Sequence, residues 1–547
     1  GVITPLIGDL PNLQTLYLQD NQLSSTLPNG FCDLVALKSI DLHDNVFSGT
    51  FPDCLSSFED LVSLSAANNQ FTGAVPSSIG EVPKLTFLNL ANNQFSGALP
   101  ESFEKLYAIQ EIYLQDNAIT GTLPSSLFAL QSLYALGLGG NQITGTIPDL
   151  TGDDFSLLTF NVSYNLLTGS IPDSISAPSR LSTLELSHNQ LNGTIPASIS
   201  GLSQLTILNA GNNMITGSIP DLSAITNLVT LDLHGNSLTG NIDSIATSTS
   251  LQILDVSNNQ LTGNIPSLAG LIDLRSFNVR LNKLSGTIPE LSGTYLNLKS
   301  FDVYSNGLTG SIPSSLTNIP SLTSLSLGSN GLTGSIPSNF GNLIALSNFD
   351  ASSNGLTGPI PDSIGSNVAL TSFTVQRNSL TGSIPDSFYS LANLQYVSLA
   401  NNQIQGNLTQ ALASLTKLTN LYLNVNQLSG NLSAVLDTRP NYVFNASNNA
   451  FFCPLPDWCS ASPTGDGSCA PCIEIPISID SESGLSGWDI TWITLGSIAL
   501  ALILLCLLIF AIRFIHSRRE RSNNPHLYPT VYTNPEGYNS SHIVYQR

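Results

Sequence analysis

One asparagine returns along this chain at a nearly fixed interval. The series runs Asn21, Asn45, Asn69, Asn93, Asn117, Asn141, Asn165, Asn189, Asn213, Asn236, Asn259, Asn282, Asn306, Asn330, Asn354, Asn378, Asn402, Asn426 and Asn449. Every step is 24 residues except four of 23. A period of this size builds a stack of like turns, not a globule around one closed core. A single turn cannot bury its own apolar side, so each must share its core with its neighbours.

The 19 units share the pattern L-x-x-L-x-L-x-x-N-x-L-x-G-x-I-P-x-x-(apolar)-x-x-L. The sixth shows it in Leu133-Tyr-Ala-Leu136-Gly-Leu138-Gly-Gly-Asn141-Gln-Ile143-Thr-Gly145-Thr-Ile147-Pro148. The alternating Leu-x-Leu predicts a short strand with both leucines inward. The Asn turns the chain out of the strand. Its amide donates and accepts, so a stack of such amides satisfies backbone groups buried in the turns. The Gly permits close backbone approach, and Ile-Pro holds the return side extended. Asp243 stands in place of that Pro in one unit, and Leu408 and Leu432 are followed by Thr409 and Ser433. These departures weaken local turns, not the stack. At a strand spacing of about 4.8 Å the ladder is on the order of 90 Å long. Such a surface suits partners better than small substrates.

The pattern resembles the plant-type leucine-rich-repeat family of receptor-like kinases, receptor-like proteins and polygalacturonase inhibitors. The G-x-I-P segment after the Asn carries the resemblance, as in Leu332-Thr-Gly334-Ser-Ile336-Pro337. It covers roughly residues 1 to 455. It implies an α/β-type solenoid, mostly strand and irregular return segments. That solenoid is a right-handed superhelix with a parallel sheet on its concave side. The first residues, Gly1 to Pro5, read as the tail of a repeat, so a preceding signal and cap are expected but not contained here.

Only 10% of residues are charged, and the formal charge is −21. A polyanion would be repelled, which argues against nucleic acid. Histidines 43, 188 and 234 are read as separate positions on the repeat surface, and the other three fall near the C-terminus. No nucleophile is paired with a base, so no enzyme and no cofactor is expected.

Seven cysteines are present. Cys32 and Cys54 lie on the return side of successive units, 22 residues apart. Stacking brings them towards disulfide reach, although their offsets from Pro28 and Pro52 differ by two. Cys453, Cys459, Cys469 and Cys472 follow the last repeat and fit a disulfide-rich cap, residues 453–472, closing the solenoid of residues 1–452. Cys469-x-x-Cys472 also fits half a zinc site, but no histidine sits nearby. Cys506 is expected to be a free thiol. Sequons at Asn161, Asn192, Asn407, Asn431 and Asn445 agree with a secreted compartment. Asn161 falls on the strand face, where a glycan would obstruct part of it.

Residues 473–489 form an acidic stalk. Ile490 to Ile512 then runs 23 residues without a charge. As a helix this run is about 34 Å long, enough for one membrane crossing. Trp488 and Trp492 suit the outer interface. Arg513, Arg518, Arg519 and Arg521 follow on the other side, which puts the C-terminus in the cytosol of a single-pass plasma-membrane protein. The tail, residues 513–547, has no lysine, no Gly-rich loop and no H-R-D motif, so it holds no kinase. Tyr528, Tyr532, Tyr538 and Tyr545 are candidate phosphorylation sites, and Tyr528-Pro-Thr-Val531 fits a sorting signal. Arginines of a disordered tail contacting anionic lipid are the plainer alternative.

Most outward positions on the strands are Ser, Thr, Asn, Gly or Ala. Two clusters stand out. One holds Tyr17, Asp20, Asp41, His43, Asp44, Tyr113 and Asp116. The other holds Arg275, Arg280, Lys299, Tyr304 and Arg377, basic and aromatic against an acidic background. Aromatic and Arg side chains are enriched at binding hot spots. Tyr396 and Tyr422 are weaker candidates. The expected function is a cell-surface receptor-like protein. It would bind an extracellular protein, peptide or glycan and signal through a recruited co-receptor or cytoplasmic kinase. An adhesion or surface-coat glycoprotein, or a membrane-tethered hydrolase inhibitor, are the alternatives.

Overall fold

A computed structural model describes residues 1–150, 156–291, 295, 297–431 and 443–452. The chain divides into two units, Gly1–Ile475 and Pro476–Arg547, and every described residue lies in the first. The cysteine-rich cap, stalk, span and tail expected from sequence lie outside the described residues. So do Cys453, Cys459, Cys469, Cys472, Cys506 and the four tail tyrosines. Among the described residues no helix is long and apolar enough to cross a membrane.

The repeat builds a 19-stranded sheet. Each strand is three residues long and pairs in parallel with the strand of the next repeat. Leu16 lies opposite Ile40, Ile40 opposite Leu64, and so on to Leu421 opposite Phe444. The central residue of each strand points into the core and its flanks point out. A slip of one residue would turn every core side chain outward, so the Leu-x-Leu period fixes the register. Each apolar side chain buried this way contributes about 1.5–3 kcal/mol. Phenylalanines extend the shared core along the stack. Phe71 lies 6.1 Å from Phe47 and 6.2 Å from Phe95, and Phe277 stacks on Phe301 at 5.0 Å.

The asparagine series does what its chemistry allows. Asn69 Oδ1 accepts the Phe47 N–H (2.9 Å), and its amide donates to Leu42 O (2.9 Å) one repeat back. The same amide donates to Ala66 O and Ala67 O of its own turn. The arrangement repeats from Asn45 to Asn449. Asn21, in the first turn, donates only to Leu18 O and Gln19 O of that turn.

The return side differs from a helical layer. Among the described residues it carries 3-10 turns and a second row of short parallel strands. The strands Gln70–Ala74, Gln94–Ala98 and Ala118–Thr120 pair in sequence. Gly145 in this row has φ +79°, and a Cβ there would meet Thr122 Cγ2 at 2.8 Å. Proline opens many of the turns, as Pro76 does for Ser77–Glu81. Where Asp243 replaces the proline, the turn Asp243–Thr247 still forms, and Gln410–Ser414 follows Thr409. Cys32 and Cys54 form the expected disulfide, with Cα atoms 5.8 Å apart.

Candidate ligand-binding surface

Because the register is uniform, outward residues form columns running the length of the sheet. Three matter here, at four, two and one residues before the ladder asparagine. The column at four is rich in Asp and Asn for a backbone reason. Asp41 Oδ1 accepts the His43 N–H (3.2 Å), and Asp302 does the same for Tyr304 (2.9 Å) and Asp350 for Ser352 (2.8 Å). The carboxylate thus caps the turn that leaves the strand. The column at one takes the left-handed conformation, with φ +56° at Asp20 and +53° at Asp44. Asp, Asn, Gly and Ser recur there, but Tyr164, Leu281, Arg377 and Val425 occupy it too.

At the N-terminal end the structure gathers most of the first cluster. His43 Nδ1 lies 2.5 Å from Asp41 Oδ1. Its Nε2 faces Asp44 at 3.6 Å and Asp20 at 3.8 Å. The hydrogen bond to Asp41 raises the imidazole pKa, and the three carboxylates together outweigh its partial burial. Tyr17, Asp41 and His43 line a shallow hollow of about 460 Å³ with Phe87 at its far side. Tyr113 and Asp116 do not join this group. Tyr113 donates to Glu111 (2.7 Å) and packs on Phe87 at 6.0 Å. Burial, then the Glu111 contact, pushes its phenol up to about 12. Tyr134 donates to the same carboxylate. Asp116 stands exposed in the left-handed column, with no ion pair among the described residues.

The second cluster separates into three places. Arg280 lies 5.7 Å from the Tyr304 ring centroid and 3.9 Å from Asp302 Oδ2. Arg275 and Lys299 are neighbours on the margin of the sheet, where the Lys299 N–H donates to Arg275 O (2.9 Å). Arg377 occupies the left-handed column several repeats further on. The setting of Arg280 is acidic beneath. Burial raises the pKa of Asp302 despite the Tyr304 N–H and Arg280. Burial also raises that of Asp255, which accepts from Ser257 Oγ (2.6 Å) and Asn278 Nδ2 (2.8 Å). Tyr396 and Tyr422 pack at 5.7 Å.

Between these places lies a group that residue-by-residue reading missed. His188 and His234 are not separate positions. His188 stacks on Tyr164 at 4.0 Å and lies 6.4 Å from His234. The Asn212 amide bridges them, 3.1 Å from His188 Nε2 and 2.6 Å from His234 Nε2. His234 Nδ1 lies 2.6 Å from Asp232, whose hydrogen bond raises the imidazole pKa. Burial, and then His234, lowers that of His188. Burial raises the Glu185 carboxyl nearby, with Asp232 adding to it. Reading the columns would have exposed part of this group. Glu185, Asp232, Asp255 and Asp302 share the column at four, and sorting by residue type hides that alignment.

The sequon asparagines fall in both rows. Asn161, on the long sheet, accepts from the Ser163 N–H (2.9 Å) and hydroxyl (2.7 Å). Asn445 does likewise with Ser447. Asn192 and Asn407 lie exposed on the second row. Asn431 ends a return-side strand.

Comparison with known proteins agrees with the repeat. Leucine-rich-repeat profiles match residues 11–71, 83–143 and 368–428, and further ones match 180–202, 227–247, 250–271, 297–319 and 321–343. No curated protein sequence matches. Solved structures do. The ectodomain of the Arabidopsis receptor kinase HAESA, solved with an extended IDA peptide hormone ligand, is 33% identical. Its TM-score is 0.77, over 83% of this chain and 77% of that one. HAESA with IDA and the co-receptor SERK1 gives 29% identity and a TM-score of 0.71, over 84% and 86%. The plant peptide hormone receptor RGFR1 in complex with RGF2 gives 30% and 0.68, over 86% and 92%. With a 24-residue brick, a 19-stranded parallel sheet and these relatives, the chain belongs to the leucine-rich-repeat family and is of the plant receptor type.

Proposed function

We propose that this chain is a single-pass receptor-like protein of the cell surface. It binds an extracellular peptide, or a protein or glycan presenting a comparable extended segment, on the exposed face of its long sheet. A partner kinase, recruited as co-receptor or through the tail, carries the signal. The observation that carries this reading is the placement of chemistry. Aromatic, cationic and acidic side chains concentrate on the strand face, at Tyr17 and His43, at His188 and His234, and at Arg280 and Tyr304. The uniform register lines these groups up along one direction, which suits an extended ligand touching successive repeats. The likeness to HAESA and RGFR1, solved with peptide hormones, supports a peptide. The solenoid, the cap of residues 453–472, the stalk, the span of residues 490–512 and the tail then form one receptor architecture.

The test uses the full chain on living cells, exposed to fractionated extracellular peptides. A binding fraction should lose at least tenfold in affinity when Arg280→Ala and Tyr304→Ala are combined. Deleting residues 522–547 should leave binding intact and abolish any cellular response. Binding indifferent to strand-face substitutions would contradict the proposal.

A further inference from the structure

The N-terminal end of the sheet holds a donor set whose chemistry goes beyond peptide contact. Asp20 and Asp44 occupy equivalent left-handed turn positions in successive repeats, and the backbone alone directs both carboxylates to the same side. His43 lies between them. Its Nδ1 is engaged by Asp41 at 2.5 Å, so the ring is held with Nε2 turned towards Asp44 and Asp20. The separations of 3.6 and 3.8 Å are too long for hydrogen bonds. They do match two donors on one cation. Metal–ligand bonds of about 2.0–2.2 Å set neighbouring donors about 3.5 Å apart. One donor atom from each of Asp20, His43 and Asp44 falls within 4.8 Å of the others. The Asp20 side chain, 74% exposed, has room to rotate towards the other two donors.

We propose that Asp20, His43 and Asp44 bind a divalent transition-metal cation, with Asp41 as the group that orients the imidazole. One nitrogen and two carboxylate oxygens are the donors of an open zinc site, leaving at least one position for water or a ligand group. The carboxylate–histidine–metal relay also fits, since a ligating imidazole ordinarily gives its other N–H to a carboxylate. Calcium and magnesium prefer oxygen donors alone, so the imidazole selects against them. The bound ion would join the first two turns of the ladder. It would also neutralise the Asp20 and Asp44 carboxylates beside the hollow lined by Tyr17 and His43. This inference does not rest on the receptor reading.

The experiment is titration of the metal-free full chain with zinc chloride, followed by calorimetry and by thermal unfolding. One equivalent of zinc should bind and raise the melting temperature. His43→Ala should weaken binding at least a hundredfold. Asp20→Asn and Asp44→Asn, which keep residues that tolerate the left-handed turn, should each weaken it at least tenfold. Asp41→Asn should weaken it less than His43→Ala. Thr216→Ala, on the return side and remote from the site, should leave it unchanged. Zinc affinity unaltered in the properly folded Asp20→Asn and Asp44→Asn chains would overturn the assignment. So would tighter binding of calcium than of zinc.

Discussion

The first two repeats and the middle of the ladder carry their charges in different columns and reach opposite electrostatic conditions. At the N-terminal end, Asp20, Asp44 and His43 stand partly in water, with side-chain exposures of 74%, 46% and 32%. In the middle, repeats on both sides press Glu185, Asp255 and Asp302 towards burial, which raises each carboxyl. One brick therefore gives two kinds of surface. The end offers the carboxylates of Asp20 and Asp44, 3.8 and 3.6 Å from His43 and open to an incoming ion or ligand. The middle offers groups already committed to one another through Asn212, Asp232 and Asn278. The column sets most of the desolvation each charge has already paid, since Asp41 at the end and Asp232 in the middle, both at four, are 25% and 23% exposed.

The largest test of this contrast is the ladder asparagine. Asn165→Ala should cost about 3 kcal/mol, because it strands the buried Ile143 N–H and removes one of the two amide donors at Leu138 O and at Val162 O. Asn21→Ala should cost under about 1 kcal/mol, since it serves only Leu18 and Gln19. Urea unfolding checks both, with hydrogen exchange reporting which repeats open. Equal costs at the two positions would remove the distinction between end and middle.

A second test uses pH. His234, Asp255, Asp302 and Glu185 all have raised pKa values in the fold. The folded middle therefore holds protons that the unfolded chain releases. That stability is fully present below the unfolded values and is lost as pH rises through the folded ones. His188, lowered, acts oppositely in the window below its ordinary value of 6.5. Above pH 6.5 the His234 contribution remains and fades as pH climbs past its raised value. The melting-temperature difference between the wild-type chain and His234→Asn should therefore shrink as pH rises from about 6.5. A constant difference would show that the Asp232 contact is not electrostatic.

A third test is smaller. Arg280→Ala should destabilise by about 0.5–1 kcal/mol, discounted because the guanidinium is 45% exposed and screened. Adding Asp302→Asn should recover part of that loss, since the buried carboxylate no longer needs a cation, although the amide must still accept from the Tyr304 N–H. The smallest concerns the turns. Val425 sits at φ +57° where its column elsewhere holds Asn401 and Asn448. Val425→Asn should stabilise by about 1 kcal/mol in the same urea assay.

The strands were legible because Leu-x-Leu states its own period, and the ladder because Asn at a fixed pitch has one economical use. Leu64 opposite Ile40 follows from those two facts alone. The second row of strands was not. Gln70–Ala74 carries Gly73 and no apolar alternation, so its pairing exists only once the stack has formed. Of the candidate site, the contact of His43 with Asp41, Asp20 and Asp44 was readable, since these residues sit in adjacent turns. The contact of His188 with His234 was hidden. They lie two repeats apart in different columns, and Asn212 between them gives no sign in sequence of its bridging role. Arg280 was read as part of a basic patch, yet the acid beneath it comes from the next repeat.

The central claim is that the strand face, and not the return side, meets the extracellular partner. Photo-cross-linking probes installed on the full chain in intact cells, followed by mass spectrometry, test it directly. The account predicts that probes at strand-face positions such as Tyr17, Gln115 and Tyr304 capture one partner reproducibly, while probes at return-side positions such as Thr144 and Thr216 do not. Capture concentrated on the return side, with the strand face silent, would contradict it.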